Sequence, residues 1–274
     1  MNEKLINQFL SKEGVQDIIR IFTKENVEIC FVGGCIRDVL SGIQGHDIDF
    51  AINCVPEETI RVLDKNNIEF DDYGKKYGSI LVIINNKKFE ITSLREDINQ
   101  KGRDTDVKFT NDWHKDALRR DFTMNAIYLF PSGTLYDYFD GQGDIANQQI
   151  RFIGDIEKRV TEDFLRIFRY YRFLGIFEKP QIIDNYELML HRYCNDAFNN
   201  LSNDIIRMEI LKMLNNPFAL NSFCNQLNPK EKNYWLKLTT KHFLDNNYKL
   251  GLEKCLNKAD LLFKQYSNRS YMSS

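Results

Sequence analysis

Short apolar runs with period-two alternation fill the first half of the chain, and they predict β-strands separated by helices and turns. VEICFV and DIDFAIN predict two strands, and SILVIINNKKFEITSL predicts a hairpin that turns at Asn85-Asn86. A second hairpin is predicted over NAIYLFPSGTLYDYFDG. Helices are predicted over CIRDVLSG and over PEETIRVLDKNN, where a proline followed by two acidic residues marks a helix N-terminus.

The pattern changes near residue 155, after which helical periodicity replaces the alternation. We therefore predict an α+β fold with a mixed-sheet head over residues 1–154, a helical neck over 155–200 and a short helical body over 201–274. One polar segment of the head, REDINQKGRDTDVKFTND, is expected to be a mobile loop because it has almost no apolar residues.

Composition limits the classes of function that fit. The 274 residues carry a net charge of -2, which excludes a uniformly basic coat for nucleic acid. Residues 200–274 nevertheless hold 11 lysines and arginines against 6 aspartates and glutamates, which suits an RNA-binding face or a solvated helical surface equally. The six cysteines form no CxxC pair, and no apolar leader precedes them, so we expect free thiols and a cytoplasmic protein. No apolar run approaches the ~18 residues of a membrane span.

Two features of the head suggest phosphate and metal chemistry. Gly33 and Gly34 lie between a predicted strand and a predicted helix, where backbone N–H groups can approach a phosphate. Asp47 and Asp49 stand two apart on the next strand and would share one face, which is most easily tolerated with a cation between them. Either feature alone is weak, because tight turns and exposed aspartates are common. Glu90 is either a third carboxylate from a neighbouring strand or an exposed strand residue.

The segment RRDFTMNAI offers further contacts to a nucleotide. Arg119 and Arg120 can hold phosphate oxygens or orient a ribose, and Asp121 can accept a hydrogen bond from a ribose hydroxyl. Asn125 can reach the sugar or the phosphates. The residues also fit a capped, salt-bridged turn before the strand AIYLF, and the residues alone favour that interpretation.

The segment EKRVTEDFLRIFRYYRFLGIF predicts one amphipathic helix. Its apolar face would hold Val160, Phe164, Ile167 and Tyr171. Its polar side would hold Glu162, Asp163, Arg166 and Arg169. Periodicity alone does not distinguish a binding helix from an ordinary surface helix.

Several of these motifs, in this order, resemble the class II tRNA nucleotidyltransferase and poly(A) polymerase family of the polymerase-β-like superfamily. GGCIRDVLSGIQGHDIDFAI resembles the motif that holds metal and triphosphate, RRDFTMNAI the ribose-binding motif, and EDFLR the base-selecting motif. The similarity covers about residues 27 to 177 and continues more weakly through LSNDIIRMEILKML, where the family usually has an arginine in place of Ile205.

The resemblance implies a template-independent RNA nucleotidyltransferase that adds C, C and A from CTP and ATP to the 3′ end of tRNA and releases pyrophosphate. It implies that Asp47 and Asp49 hold Mg²⁺ in a two-metal site completed by Glu90, and that Gly33, Gly34 and Arg37 contact the triphosphate. It also implies that Asp163 and Arg166 pair with the incoming base. Specialised CC-adding or A-adding enzymes, a poly(A) polymerase and a non-catalytic RNA-binding relative stay open as alternatives, as does the oligomeric state.

Overall fold

A computed structural model describes residues 3–43, 47–101 and 104–224 of the chain. The chain divides into two compact units. The first holds residues 1–147 and 151–155, and the second holds residues 148–150 and the chain after residue 155. For the described residues the predicted α+β fold is confirmed, with a mixed sheet in the first unit and helices in the second. The predicted body over 201–274 lies outside the described residues from position 225 onward.

Seven strands form one sheet in the first unit, in the order β3-β4-β5-β2-β1-β8-β9. The β2–β5 pair is parallel and the other pairs are antiparallel. A separate two-stranded sheet pairs β6 with β7. The strands are β1 Ile29–Val32, β2 Asp49–Ile52, β3 Glu69–Asp71, β4 Ser79–Ile84, β5 Lys87–Ser93, β6 Arg95–Lys101, β7 Asp104–Phe109, β8 Ile127–Leu129 and β9 Leu135–Asp137.

Both predicted hairpins of this sheet are confirmed. Asn85 and Asn86 join β4 to β5 with φ angles of +52° and +61°, the left-handed pair that a two-residue hairpin turn requires and that asparagine tolerates. Residues 130–134 join β8 to β9. Apolar side chains of the inner strands form the core, where the Phe31 and Phe50 rings lie 4.7 Å apart and are fully buried.

Helices surround the sheet of the first unit and make up the described part of the second. The first unit contains α1 Glu3–Leu10, α2 Val15–Lys24, α3 Gly34–Leu40, α4 Pro56–Lys65, α5 Trp113–Leu118 and α6 Gly141–Ala146, with short 3₁₀ turns at Lys75–Tyr77 and Thr123–Asn125. The second contains α7 Ile156–Glu162, α8 Leu165–Leu174, α9 Tyr186–Arg192, α10 Cys194–Asn200, α11 Asn203–Leu214 and α12 Ala219–Cys224. None of the helices within the described ranges has the length and hydropathy to cross a membrane.

Candidate functional site

The glycine pair lies where β1 passes into α3. Gly33 has φ +80°, a conformation that side-chain-bearing residues rarely adopt. A methyl group added at Gly33 would lie 3.6 Å from Nη1 of Arg120 and 4.0 Å from Oδ2 of Asp49. The bare backbone of this turn therefore lies beside one guanidinium and one carboxylate, an arrangement that suits a phosphate group and a cation together.

The carboxylates meet at the start of β2. Asp49 is the first residue of that strand and is the register partner of Glu90 on the parallel strand β5. Asp47 lies just before the strand and is exposed, so the strand begins later than predicted, while Ile48 and Phe50 are buried as the predicted alternation requires. Ser79 on β4 donates a hydrogen bond from its hydroxyl to Glu90.

Burial and like charge both act on Asp49. Burial and the negative charges of Glu90 and Asp47 together raise the pKa of its carboxyl to about 6, against the opposing effect of Arg120 and Arg37. The deprotonated form of Asp49 is therefore costly without a nearby cation. Within the described ranges, no three His, Cys, Asp or Glu side chains come together in a group that could hold a metal.

Arg37 joins the glycine turn to the RRDFTMNAI segment. Its Nη1 donates to Oδ1 of Asn125 at 2.8 Å, and its Nη2 donates to Asp38 at 2.7 Å. The amide of Asn125 in turn donates to Oδ1 of Asp121 at 3.0 Å. Three predicted site residues thus form one chain of hydrogen bonds, which fixes the side-chain orientations of Arg37 and Asn125 beside the turn.

The two arginines of RRDF both bind Asp116, a residue that the sequence analysis missed. Arg119 Nε donates to its Oδ1 at 2.8 Å, and Arg120 Nη2 donates to its Oδ2 at 3.0 Å. The hydroxyl of Tyr128 donates to the same Oδ2 at 2.7 Å, and Asp116 is 1% exposed. A signal for this residue was present, because an acidic residue three and four positions before two arginines pairs with them on a helix.

The second unit contains the EDFLR motif at a break between two helices, so the prediction of one continuous helix was wrong. Helix α7 ends at Glu162 and α8 begins at Leu165. Asp163 lies in the break, where its Oδ1 accepts a hydrogen bond from the backbone N–H of Leu165 at 2.9 Å. The physical reason is that an aspartate side chain competes for backbone donors and so favours helix starts over helix interiors.

Arg166 is held tightly by its neighbours. It is 4% exposed, and its Nη1 donates to Glu162 Oε2 at 2.8 Å and to the carbonyl of Arg159 at 2.7 Å. Arg159 also donates to Glu162 Oε2, at 2.6 Å. The guanidinium of Arg169 lies 5.5 Å from the centre of the Phe173 ring. The predicted polar side of this helix is therefore buried at Arg166. The guanidinium of Arg166 tolerates burial because the carboxylate of Glu162 neutralises its charge.

The polar segment after Glu90 is a hairpin, so the expectation of a loop was wrong for its described residues, while its mobility stays a prediction. Strands β6 and β7 pair from Arg95 with Phe109 to Lys101 with Asp104. Opposite charges face each other in the register, as at Glu96 and Lys108. Residues 102 and 103, at the predicted loop centre, lie outside the described residues.

Comparisons with known proteins find similarity to one family. Residues 29–151 match the family described as the poly(A) polymerase head domain. The mitochondrial CCA tRNA nucleotidyltransferase 1 of Mus musculus is 38% identical over 209 residues, which are 76% of this chain and 48% of that protein. A CCA-adding enzyme of Staphylococcus aureus is 35% identical over 224 residues, 81% of this chain and 54% of that protein.

A solved structure gives the same result at the level of the fold. The crystal structure of a Bacillus stearothermophilus CCA-adding enzyme in complex with CTP superposes with a TM-score of 0.67 at 30% identity. The match covers 77% of this chain and 51% of that one. The chain thus spans about half the length of the curated relatives it matches.

Proposed function

We propose that this chain is a member of the family of tRNA nucleotidyltransferases and poly(A) polymerases, and that it adds C, C and A to the 3′ end of tRNA from CTP and ATP. The observation that carries the proposal is the meeting of Gly33, Asp49 and Arg120 at the start of β2. This site offers backbone, carboxylate and guanidinium to a single nucleoside triphosphate. The similarity to enzymes named as CCA-adding supports the choice of product.

Mg²⁺ fits the carboxylates of this site. The pKa of Asp49, raised by burial and by neighbouring negative charges, marks a place where a cation would relieve repulsion. Mg²⁺ is usually bound by one or two carboxylates together with substrate phosphates rather than by an all-protein cage. Asp47 and Asp49 would hold it, with Glu90 beside them, and it would supply charge stabilisation for nucleotidyl transfer.

The residues of the chain bind and orient the reactants. Gly33 and Gly34 admit the triphosphate to the turn, and Arg120 donates to its oxygens with a geometry suited to phosphate. Asn125 and Asp121, which are joined by a hydrogen bond, are suited to contact the ribose. Arg119 binds Asp116, the carboxylate that also binds Arg120. The 3′-hydroxyl of the RNA attacks the α-phosphate, the bond to pyrophosphate breaks, and catalysis comes mostly from positioning.

Base selection is proposed for the second unit. Asp163 accepts from the exocyclic amine that C and A share, and Arg166 donates to the adjacent ring nitrogen, so U and G are rejected. Glu162 and Arg159 would hold Arg166 in the required orientation. Arg169, three residues after Arg166, would add a further positive charge beside the base. The cytoplasmic location stays a prediction, since one similar protein is a mitochondrial enzyme of mouse.

The experiment that tests this function measures incorporation of each labelled nucleotide into tRNA that ends before CCA. We expect CTP and ATP to be used, UTP and GTP to be rejected, and removal of Mg²⁺ with EDTA to stop the reaction. Equal use of all four nucleotides, or full activity in EDTA, would contradict the proposal. Long runs of A from ATP alone would favour the poly(A) polymerase alternative.

Asp163→Asn should change nucleotide choice without weakening the fold. The asparagine oxygen can still accept from Leu165 N–H, so the free energy of unfolding should change by less than about 0.5 kcal/mol. Its NH₂ group, however, presents a donor where the aspartate presented an acceptor, so use of UTP relative to CTP should rise by roughly 10- to 100-fold. Asp163→Ala is the comparison that loses both the hydrogen bond from Leu165 and the proposed base contact. Unchanged kinetics for all four nucleotides in Asp163→Asn would remove this residue from base selection.

Shortening the segment Gly102-Arg103-Asp104, at the centre of the predicted loop, should impair addition of A while sparing addition of CC. The hairpin starts at Arg95, whose backbone N–H donates to Asp116 at 3.2 Å, so it is tied to the residue that holds Arg119 and Arg120. A segment attached at this point can change the shape of the site when the incoming nucleotide changes from CTP to ATP, which differ in size. The readout is the ratio of CC-ended to CCA-ended tRNA.

The matched control removes Ser132-Gly133 from the turn between β8 and β9, in another hairpin of the same unit. That variant should give the wild-type ratio. If shortening β6–β7 reduces C and A addition equally, or reduces neither, the hairpin is not the element that distinguishes the two nucleotides.

A further inference from the structure

We propose that Asp116 and Tyr128 are positioning residues that fix the guanidinium of Arg120 beside Gly33 and Asp49. The proposal rests on the proposed function, because only a nucleoside triphosphate site gives Arg120 a substrate to hold. Neither residue belongs to the motifs that led to the candidate site.

Arg120, Asp116 and Tyr128 form a closed triangle of hydrogen bonds. Asp116 Oδ2 accepts from Arg120 Nε at 3.3 Å and from Nη2 at 3.0 Å. The hydroxyl of Tyr128 donates to the same oxygen at 2.7 Å and accepts from Arg120 Nε at 3.2 Å. Nε and Nη2 thus bind Asp116 and Tyr128, and Nη1 lies 3.6 Å from the position of a methyl group added at Gly33.

The triangle lies within an apolar part of the first unit. Tyr128 is fully buried and packs with Trp113, Ala117, Val32 and Cys30. In such surroundings a hydrogen bond is stronger than in water, and few rotamers of Arg120 can satisfy Asp116 and Tyr128 together. The orientation of Nη1 is therefore fixed by packing before a substrate arrives.

The charges of Asp116, Arg119 and Arg120 also support a fixed orientation of the Arg120 guanidinium. Burial alone would raise the pKa of Asp116, but Arg119, Arg120 and the Tyr128 hydroxyl lower it well below its usual range. One carboxylate thus faces two guanidiniums, with Arg119 on Oδ1 and Arg120 on Oδ2. Of the two guanidiniums, Arg120 reaches the glycine turn, where its Nη1 lies 3.6 Å from the position of a methyl group added at Gly33 and could donate to a triphosphate oxygen.

Tyr128→Phe is the cleanest test, because it removes one hydroxyl and keeps the ring in the core. Tyr136→Phe is the matched control, since Tyr136 is the register partner of Tyr128 on β9 and is 42% exposed. In the full chain, Tyr128→Phe should raise KM for CTP and for ATP together by about tenfold, while kcat changes less. Tyr136→Phe should leave both constants unchanged.

A double-mutant cycle separates positioning from a general loss of structure. In an Arg120→Lys background, Tyr128→Phe should have little further effect, because the guanidinium that it orients is already gone. If the effects of the two substitutions multiply, or if Tyr128→Phe lowers only the fraction of active protein without moving KM, Tyr128 does not act through Arg120.

A second readout does not depend on activity. The Nε–H signal of Arg120 in the NMR spectrum, assigned by its loss in Arg120→Lys, should exchange slowly in the unmodified chain and much faster in Tyr128→Phe. Equal exchange rates in the two proteins would overturn the positioning role. If the rates differ as expected but the unmodified chain incorporates no nucleotide, the positioning stands and the proposed function fails.

Discussion

Asp49→Asn should reduce nucleotide incorporation by at least about a thousandfold, because the carboxylate supplies several kcal/mol of transition-state stabilisation through the metal that it would hold. The backbone of β2 and its pairing with Glu90 on β5 do not depend on that charge, so the fold should persist. Loss of activity in a folded protein is thus the expected result. Asp64→Asn, at an exposed position of α4, is the matched control and should keep full activity.

The same substitution should make the metal-free protein more stable. The pKa of Asp49 is raised by burial and by Glu90 and Asp47 to about 6 in the folded protein, above the 3.8 of an unperturbed aspartate. Its deprotonation therefore removes stability as pH rises from about 4 to about 6. In EDTA at pH 8, Asp49→Asn should increase the free energy of unfolding by about 1 kcal/mol, after allowance for partial exposure.

Denaturant unfolding at pH 4 and pH 8 measures this effect. The difference between Asp49→Asn and the unmodified chain should vanish at pH 4, where Asp49 is largely protonated in the folded state. A folded variant with near-normal incorporation would show that Asp49 holds no catalytic metal. A variant less stable than the unmodified chain at pH 8 would show that the carboxylate is not strained.

Asp116→Asn should destabilise the first unit by about 3–5 kcal/mol, because it breaks a buried ion pair and leaves two guanidiniums without their carboxylate. Asp116 is 1% exposed and accepts from Arg119, Arg120 and Tyr128 at 3.0 Å or less. Denaturant or thermal unfolding measures the loss. Asp112→Asn is a suitable control, because Asp112 is exposed and caps α5 through Oδ1, a role that asparagine can keep.

The stability lost in Asp116→Asn should depend on pH in a definite direction. The pKa of Asp116 is lowered in the folded protein by the two arginines and by Tyr128, against the effect of burial. Its contribution to stability is therefore complete above about pH 4 and is lost as pH falls below that value. The difference in unfolding free energy between Asp116→Asn and the unmodified chain should shrink in acid. A difference independent of pH would mean that Asp116 contributes by packing alone.

Local patterns were sufficient for much of the fold and for the corner around the glycines. The turn at Asn85-Asn86 follows from residues that accept a positive φ, and the strand–turn–helix around Gly33 follows from an apolar run that ends in glycines. Pairing between strands that are not joined by a hairpin was not readable from sequence. The register of Asp49 with Glu90 joins residues far apart in the chain, and no local signal specifies it.

The features that the sequence analysis missed or predicted wrongly also have physical reasons. The β6–β7 hairpin satisfies its backbone groups by pairing, and its facing charges replace the apolar alternation that usually marks a strand. Tyr128 looked like an ordinary core residue of the strand AIYLF, because its hydroxyl partners lie on a different element. The break at Asp163 was visible in principle, since aspartate before an apolar helix is a capping signal.

Sequencing of 3′ ends tests the central claim most directly. Full-length protein is incubated with tRNA that ends before CCA, with CTP alone, ATP alone or both, and the ends formed are counted. The account predicts CC ends with CTP alone, CCA ends with both nucleotides, and almost no product with ATP alone. Unchanged tRNA in all three reactions, or untemplated runs of A with ATP alone, would contradict it.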